Sequence, residues 1–117
     1  MARIRDQELA ALIDAAQKAE GERRLRLLQD LQERLDAHFR TEEAPDGWFA
    51  RVVRELPDVA HRITALRADH LDLAAAAVSL LSEPSREAES ALIDRLAAHE
   101  EEEAALFAEL LRVARSS

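Results

Sequence analysis

The segment LQDLQERLDAHFRTE, residues 28–42, spaces its apolar side chains as an α-helix does when one face packs against other helices. Its inward positions recur every three or four residues, which places them along one stripe of the helix. This stripe consists of Leu28, Leu31, Leu35, His38 and Glu42. An imidazole and a carboxylate therefore stand one turn apart where a helical core normally has leucine, and both are candidates for a buried site.

Two later segments carry the same kind of stripe, again interrupted by polar residues. The stripe nearest the C-terminus consists of Leu92, Leu96, His99, Glu103, Leu106, Leu110 and Val113. The stripe between these two consists of Val59, Ile63, Leu66, His70, Leu73 and Ala77. Buried imidazoles and carboxylates cost free energy unless hydrogen bonds or a metal ion satisfy them. The pattern therefore predicts a metal site built from three histidines and two glutamates.

Glycine and proline residues divide the chain into its helical segments. The expected breaks are Gly21, Pro45-Asp46-Gly47, Pro57 and Pro84, and Ser85 is a suitable N-cap for the last helix. The predicted helices cover residues 3–20, 22–43, 58–82 and 86–115, with a short helix over 48–56. No segment alternates apolar and polar residues as a half-buried strand would. We therefore predict a single all-α domain over residues 1–117, an antiparallel up-down four-helix bundle with a short extra helix between helices two and three.

The composition excludes several classes of function. The net charge of −8 at pH 7 disfavours nucleic acid as a partner, because phosphate binding needs a basic surface. The absence of cysteine excludes disulfides, zinc–thiolate sites and thiol catalysis. The chain has no glycine-rich phosphate loop and no nucleophile motif of a hydrolase. Because no signal peptide or membrane span is visible, we expect a cytoplasmic protein without membrane contact.

Counting residues from the predicted turns shows which polar side chains lie at the same height. His70 lies fourteen residues before Pro84 and His99 lies fourteen residues after Ser85, so these two histidines should face each other. Counting back from His38 across Gly21 reaches the start of the first helix, where Asp6 lies on the apolar stripe. Asp6 is therefore a further candidate for a metal ligand, with Gln7 and Glu8 as alternatives.

Other polar residues near these stripes are expected to lie outside the site. His61 falls off the stripe of its segment, and we expect it to face solvent. The same is expected of Glu43, Glu100 and Glu101, which do not continue an apolar stripe. Asp69 is either a surface charge or a partner that orients a metal ligand.

Nitrogen and oxygen donors without sulfur suit iron, with zinc or manganese as alternatives. The sequence motifs around His38, His70 and His99 are similar to those of the hemerythrin-like, or HHE cation-binding, domain family. These motifs are His38-Phe-Arg-Thr-Glu42, the histidine after Leu-Arg-Ala-Asp at position 70, and His99-Glu-Glu-Glu-Glu103. The resemblance extends over essentially the whole chain, from the first helix to the last.

The resemblance implies a non-haem di-iron centre inside a four-helix bundle. Glu42 and Glu103 would bridge the two ions, His70 and His99 would bind one iron, and His38 the other. Open coordination positions would then admit dioxygen or peroxide as a small ligand.

The chain departs from the family pattern at two places. The first helix lacks the usual histidine, and Ala74 stands where the third helix often carries a second one. A site with fewer imidazoles and more carboxylates favours more labile metal binding.

Three functions follow from these patterns. The first is an iron protein that binds or senses dioxygen or reactive oxygen species, or handles iron, and we favour this binding protein over an enzyme. The second is a carboxylate-rich ferroxidase or peroxide-consuming oxidase that uses the same residues. The third is a metal-free helical interaction bundle with a degenerate site. The sequence leaves the oligomeric state and the number of bound ions open.

Overall fold

The computed structural model describes residue 4 and residues 6–116 of the chain. All regular structure in this part of the chain is helical, as predicted. The helices are α1 (Gln7–Lys18), α2 (Gly21–Glu43), α3 (Trp48–Glu55), α4 (Ala60–Ser82) and α5 (Arg86–Ser116). A short 3-10 helix, Pro57–Val59, leads into α4. The short helix α3 is the extra helix that the sequence predicts between two of the longer ones.

The helix ends lie close to the predicted breaks. Helix α1 begins at Gln7, because Asp6 is its N-cap and accepts a hydrogen bond from the Leu9 N–H at 3.0 Å. The predicted start at residue 3 lies outside the described residues. Helix α2 begins at Gly21 itself, which was expected to lie between the helices. Ser85 caps α5 as predicted, since its hydroxyl oxygen accepts the Ala88 N–H at 3.0 Å.

The turn after α2 depends on a glycine that lies against the end of that helix. The Gly47 N–H donates to the Ala44 carbonyl at 2.8 Å. A Cβ atom on Gly47 would lie 2.5 Å from the carbonyl oxygens of Thr41 and Glu42, closer than real contacts allow. This close approach lets α3 begin directly at Trp48, beside the last turn of α2.

The helices pack side by side into an elongated molecule of 53 × 22 × 22 Å. Helix α1 packs on α2, α2 on α4 and α4 on α5, while α3 contacts α2, α4 and α5. None of the helices in the described part of the chain is both long enough and apolar enough to cross a membrane.

The buried apolar residues form two clusters. The larger cluster joins α1 and α2 to the second half of α4 and the first half of α5. Its main members are Leu9, Ile13, Leu28, Leu31, Leu35, Phe39, Leu73, Leu80, Leu92 and Leu96. The smaller cluster consists of Phe49, Val52, Ile63, Leu66, Leu106 and Leu110. His70 lies between the two sets along α4, and His99 to Glu103 lie between them along α5, so the polar residues occupy a layer between two apolar ones.

Ion pairs and hydrogen bonds around the buried Glu89 join the start of α5 to the turn between α1 and α2. Glu89 is buried; one of its carboxylate oxygens accepts from Arg86 at 3.1 Å and lies 3.5 Å from Arg24. Arg86 also donates to carbonyl oxygens at the end of α1, among them that of Ala16. These contacts pair one carboxylate oxygen of Glu89 with two guanidinium groups, so its charge is compensated by arginine rather than by the histidines of the polar layer described next.

Candidate metal centre

Four buried side chains from three helices form the centre of the polar layer. They are Glu42 of α2, His70 of α4, and His99 and Glu103 of α5. Each offers one ligand atom, and these atoms all lie within 4.8 Å of one another. We call these four residues the inner group. Such a set can hold a metal ion, because imidazole nitrogens and carboxylate oxygens are common metal ligands in proteins.

The two histidines of the inner group face each other, as the residue count predicted. Their Nε2 atoms are 3.1 Å apart. Glu42 Oε1 lies 3.1 Å from Nε2 of His70, and Glu103 Oε2 lies 3.2 Å from Nε2 of His99. At 3.1 Å only one of the two ring nitrogens can carry the proton between them. The nitrogens and carboxylate oxygens therefore converge on one small volume.

A second set of ligand atoms adjoins the inner group. His38, Glu100 and Glu103 also offer ligand atoms that lie within 4.8 Å of one another. Nε2 of His38 is 3.2 Å from Glu100 Oε1 and 3.5 Å from Glu42 Oε2. We call His38 and Glu100 the outer pair. Glu42 and Glu103 thus lie between this pair and the inner histidines.

The buried position of Glu100 corrects the expectation that it faces solvent. Only 2% of its surface is exposed, whereas Glu101 is exposed as expected. Glu100 follows Leu92 and Leu96 at intervals of four residues, so it lies on the second edge of the apolar stripe that includes His99 and Glu103. The spacing of those leucines was the signal that could have identified it.

Each site histidine has a carboxylate on the ring nitrogen that does not face the other ligand atoms. Nδ1 of His70 lies 2.7 Å from Glu43, and Nδ1 of His99 lies 3.3 Å from Asp69. Metal-binding histidines usually donate their second N–H in this way, which fixes the tautomer and the ring orientation. Asp69 is therefore an orienting partner, the second of its predicted alternatives. Glu43 is exposed, as expected, but its carboxylate also contacts His70.

Asp6 plays the same role for His38. Its Oδ2 lies 3.1 Å from Nδ1 of His38 and 2.6 Å from the guanidinium of Arg34, while Oδ1 caps α1. The structure thus places Asp6 beside the site at the predicted height, but at the ring nitrogen opposite the ligand atoms. Glu8 is exposed and contacts Arg34.

Aromatic rings fix the inner group in ways that the stripes did not predict. The ring of Phe39 stacks on that of His70 at 3.9 Å between centroids, and the ring of Phe49 stacks on it at 5.2 Å. The indole N–H of Trp48 donates to Glu42 Oε2 at 3.0 Å. Rings packed in this way restrict the orientations of His70 and Glu42.

The carboxylates determine the protonation of the imidazoles when no metal is present. Burial by itself lowers the pKa of His38, but the hydrogen bond with Glu100 and the charges of Glu42 and Glu103 outweigh burial and raise the pKa to about 9. Burial likewise lowers the pKa of His70, but its carboxylate partners raise it to about 9. The pKa of His99 is raised chiefly by Glu103, against burial and the charge of His70.

The two central carboxylates titrate in opposite directions. Burial raises the pKa of Glu42, and the neighbouring charge of Glu103 adds to this effect. Burial also acts to raise the pKa of Glu103, but the hydrogen bonds with His70 and His99 outweigh it and hold that pKa well below its usual range. Because the two carboxyl groups are close together, they titrate as a pair, and Glu103 loses its proton first as the pH rises.

Two cavities reach the polar layer from the surface. One, of about 640 Å³, is lined among others by Asp6, Arg34, His38, Glu42 and Trp48. The other, of about 420 Å³, is lined by residues that include Phe39, Glu43, His70 and Ala74. The first reaches His38 of the outer pair and Glu42 of the inner group. The second reaches only the Glu43 side of the inner group.

Two further predicted positions can be placed. His61 is exposed and stands apart from the site, as predicted. Val113 continues the last stripe in sequence, but 42% of its surface is exposed. The prediction of a buried Val113 was wrong, because it lies beyond Leu110, the last core residue of α5.

No protein-family model, no curated protein and no solved structure matches this chain. The similarity to hemerythrin-like domains therefore rests on the motifs around His38, His70 and His99 alone.

Proposed function

We propose that the chain is a hemerythrin-like metal-binding protein, in which the four long helices form an antiparallel up-down bundle around two iron ions. The inner group carries this proposal. Two imidazoles and two carboxylates are all buried there, with ligand atoms within 4.8 Å of one another, between two apolar clusters. Buried charges at such positions cost free energy, and a divalent cation would compensate the carboxylates directly.

The contacts suggest a role for each residue. Glu42 places one oxygen near His70 and the other near His38, as a bridging carboxylate must. Glu103 contacts both inner histidines and also belongs to the set around His38. His70 and His99 would then bind one ion and His38 the other, with Glu42 and Glu103 shared. Asp6, Glu43 and Asp69 would keep the imidazoles oriented through Nδ1.

Iron held by these residues would supply open coordination positions for dioxygen or peroxide. The cavity of about 640 Å³ beside His38 is large enough to admit such small ligands. Phe39 and Phe49 limit the access of water to His70 by covering its ring. The chain contains no tyrosine and no cysteine to relay electrons, which favours binding or sensing over turnover.

Iron loading without oxygen tests this proposal. We expect about two iron ions per chain after anaerobic loading and desalting, and visible absorption bands of an oxygen-bridged iron pair after exposure to air. His61→Ala is a suitable control, because His61 is exposed and remote from the site, so its metal content should match that of the wild type. Less than about half an iron ion per chain, with no visible band, would contradict the proposal.

The buried Glu100 gives specific support to one alternative, a carboxylate-rich ferroxidase or peroxide-consuming oxidase. Carboxylate-rich iron sites favour oxidative turnover over reversible binding of oxygen. This function predicts steady consumption of Fe(II) or peroxide that is lost in His99→Ala. A wild-type protein that loads iron but consumes neither would restrict the function to binding or sensing.

A metal-free helical bundle is the other alternative, and the raised histidine pKa values support it. Protonated imidazoles could pair with the buried carboxylates without any metal. This alternative predicts that a chelator leaves the Tm unchanged. The metal proposal predicts a lower Tm after chelation, because a ligand that binds only the folded state stabilises it.

A further inference from the structure

The run Glu100–Glu103 is divided between solvent and core. Glu101 and Glu102 are exposed, whereas Glu100 and Glu103 are buried. Glu103 continues the stripe of His99, but Glu100 contacts a different helix, since its carboxylate lies 3.2 Å from Nε2 of His38 on α2. Burying a carboxylate at this depth needs a compensating charge. Glu100 therefore belongs to the polar layer rather than to the surface.

His38 presents Nε2 to Glu100 because its other nitrogen is already occupied. Asp6 and Arg34 form a hydrogen-bonded set around Nδ1, at 3.1 Å from Asp6 to His38 and 2.6 Å from Asp6 to Arg34. This set orients the ring so that Nε2 faces Glu100 and Glu42. The N-cap of the first helix thus supplies an orienting carboxylate, and none of the described residues of that helix adds a ligand atom at this position.

The surroundings of the outer pair differ from those of the inner histidines. The His38 side chain is 15% exposed, against 3% for His70 and 1% for His99. His38 also lines the cavity of about 640 Å³. An ion beside His38 would meet one imidazole with carboxylate oxygens from Glu100, Glu103 and Glu42, whereas the inner group offers two imidazoles. The outer position is thus richer in oxygen and closer to solvent.

We infer that the centre has two unequal metal positions and that Glu100 is a ligand of the solvent-side position, together with His38. This inference rests on the proposed function, because it assigns ligands within that site. Glu100 thereby takes the place of the histidine that the first helix lacks. The solvent-side position lies at the wall of a cavity, so its ion exchanges first. Its carboxylate oxygens suit hard ions such as Mn²⁺, whereas the two imidazoles of the inner group suit iron or zinc.

Glu100→Gln tests the role of Glu100, with Glu101→Gln as the matched control. Glutamine has nearly the same shape but no charge, and Glu101 is the exposed neighbour on the same helix. Metal per chain is measured by elemental analysis after anaerobic loading with Fe²⁺ or Mn²⁺ and desalting. The fluorescence of Trp48, the only tryptophan, follows the same titration, because its indole hydrogen-bonds to Glu42. Circular dichroism of the metal-free proteins checks that each variant folds.

After desalting, we expect two ions in the wild type and in Glu101→Gln. Glu100→Gln should retain only one, because it binds the second ion about tenfold or more weakly. His38→Ala should lose the same ion, and the double variant should lose nothing further.

Two ions with unchanged affinity in folded Glu100→Gln would overturn this inference and leave the proposed function standing. If the wild type binds only one ion, the solvent-side metal position does not exist, although the protein still binds metal. A wild type that binds none would overturn both.

Discussion

The inner group and the outer pair use the same kinds of side chain in different surroundings. His70 and His99 are almost fully buried, and two phenylalanine rings stack on His70. His38 lies at the wall of a cavity and is held mainly by the polar set of Asp6 and Arg34. A carboxylate lies at Nδ1 of each histidine in both halves, but aromatic rings also pack on the inner half, whereas the outer half opens to a cavity. Metal affinity and stability should therefore respond differently to changes in the two halves.

The largest difference is expected when an imidazole is removed from each half. His99→Ala leaves Glu103 buried with one imidazole fewer, and breaking a buried ion pair costs about 3–5 kcal/mol. Urea unfolding of the metal-free protein should show a loss of this size. His38→Ala should cost less, because water can enter from the cavity beside it. His61→Ala should remain within about 0.5 kcal/mol of the wild type. Equal losses for His99→Ala and His38→Ala would remove the distinction between the two halves.

The next prediction concerns the pH dependence of the metal-free protein. The pKa values of His38 and His70 are raised from 6.5 to about 9, so their stabilisation is fully present below pH 6.5 and is lost as the pH rises through about 9. The lowered pKa of Glu103 adds stability above pH 4.5 that is lost in acid. The stabilisation from these three groups should therefore be largest between about pH 4.5 and 6.5, whereas the raised pKa of Glu42 removes stability as the pH rises above 4.5.

Metal binding should show the opposite trend over part of this range. A metal ion competes with the protons on the imidazoles, so its affinity should increase from pH 6.5 to 9. Thermal unfolding with and without metal at several pH values measures both trends. A metal-free protein that becomes more stable between pH 6.5 and 9 would contradict the assigned histidine–carboxylate pairs.

The smallest effects are expected from the orienting carboxylates. Asp69→Asn weakens the partner of His99, and Asp6→Asn weakens the partner of His38. Asparagine is still a good N-cap, so Asp6→Asn should leave α1 intact. Each change should lower metal affinity about 10- to 100-fold, Asp69→Asn at the inner position and Asp6→Asn at the solvent-side position. Competition with a chelator measures the two affinities. If both variants weakened the same ion, the division into two positions would be wrong.

Much of the fold could be predicted from the spacing of apolar residues. The stripes through Leu28, Ile63 and Leu92 identify the helices that build the core, because a period of 3.6 residues is a local property of the chain. The helix ends were less accurate. Whether Gly21 lies before or inside α2, and where α1 begins, depends on hydrogen bonds that form only between specific groups at the helix ends.

Helical periodicity also predicted part of the candidate site. His38, His70, His99, Glu42 and Glu103 replace apolar residues on the stripes, and the structure brings all five together. Glu100 was missed because the stripe on α5 is wider than a single line of residues. The partners Glu43, Asp69 and Phe49 could not be chosen from spacing, since they lie on the flanks of helices or in another helix altogether.

The sequence by itself determined the helices and the register that turns three histidines and two glutamates inward. It did so because side-chain direction along a helix follows directly from residue number. Only the tertiary structure decided which carboxylate meets Nε2 and which meets Nδ1 of each histidine. That choice depends on how neighbouring helices are rotated and offset, which is set by the packing of many side chains at once.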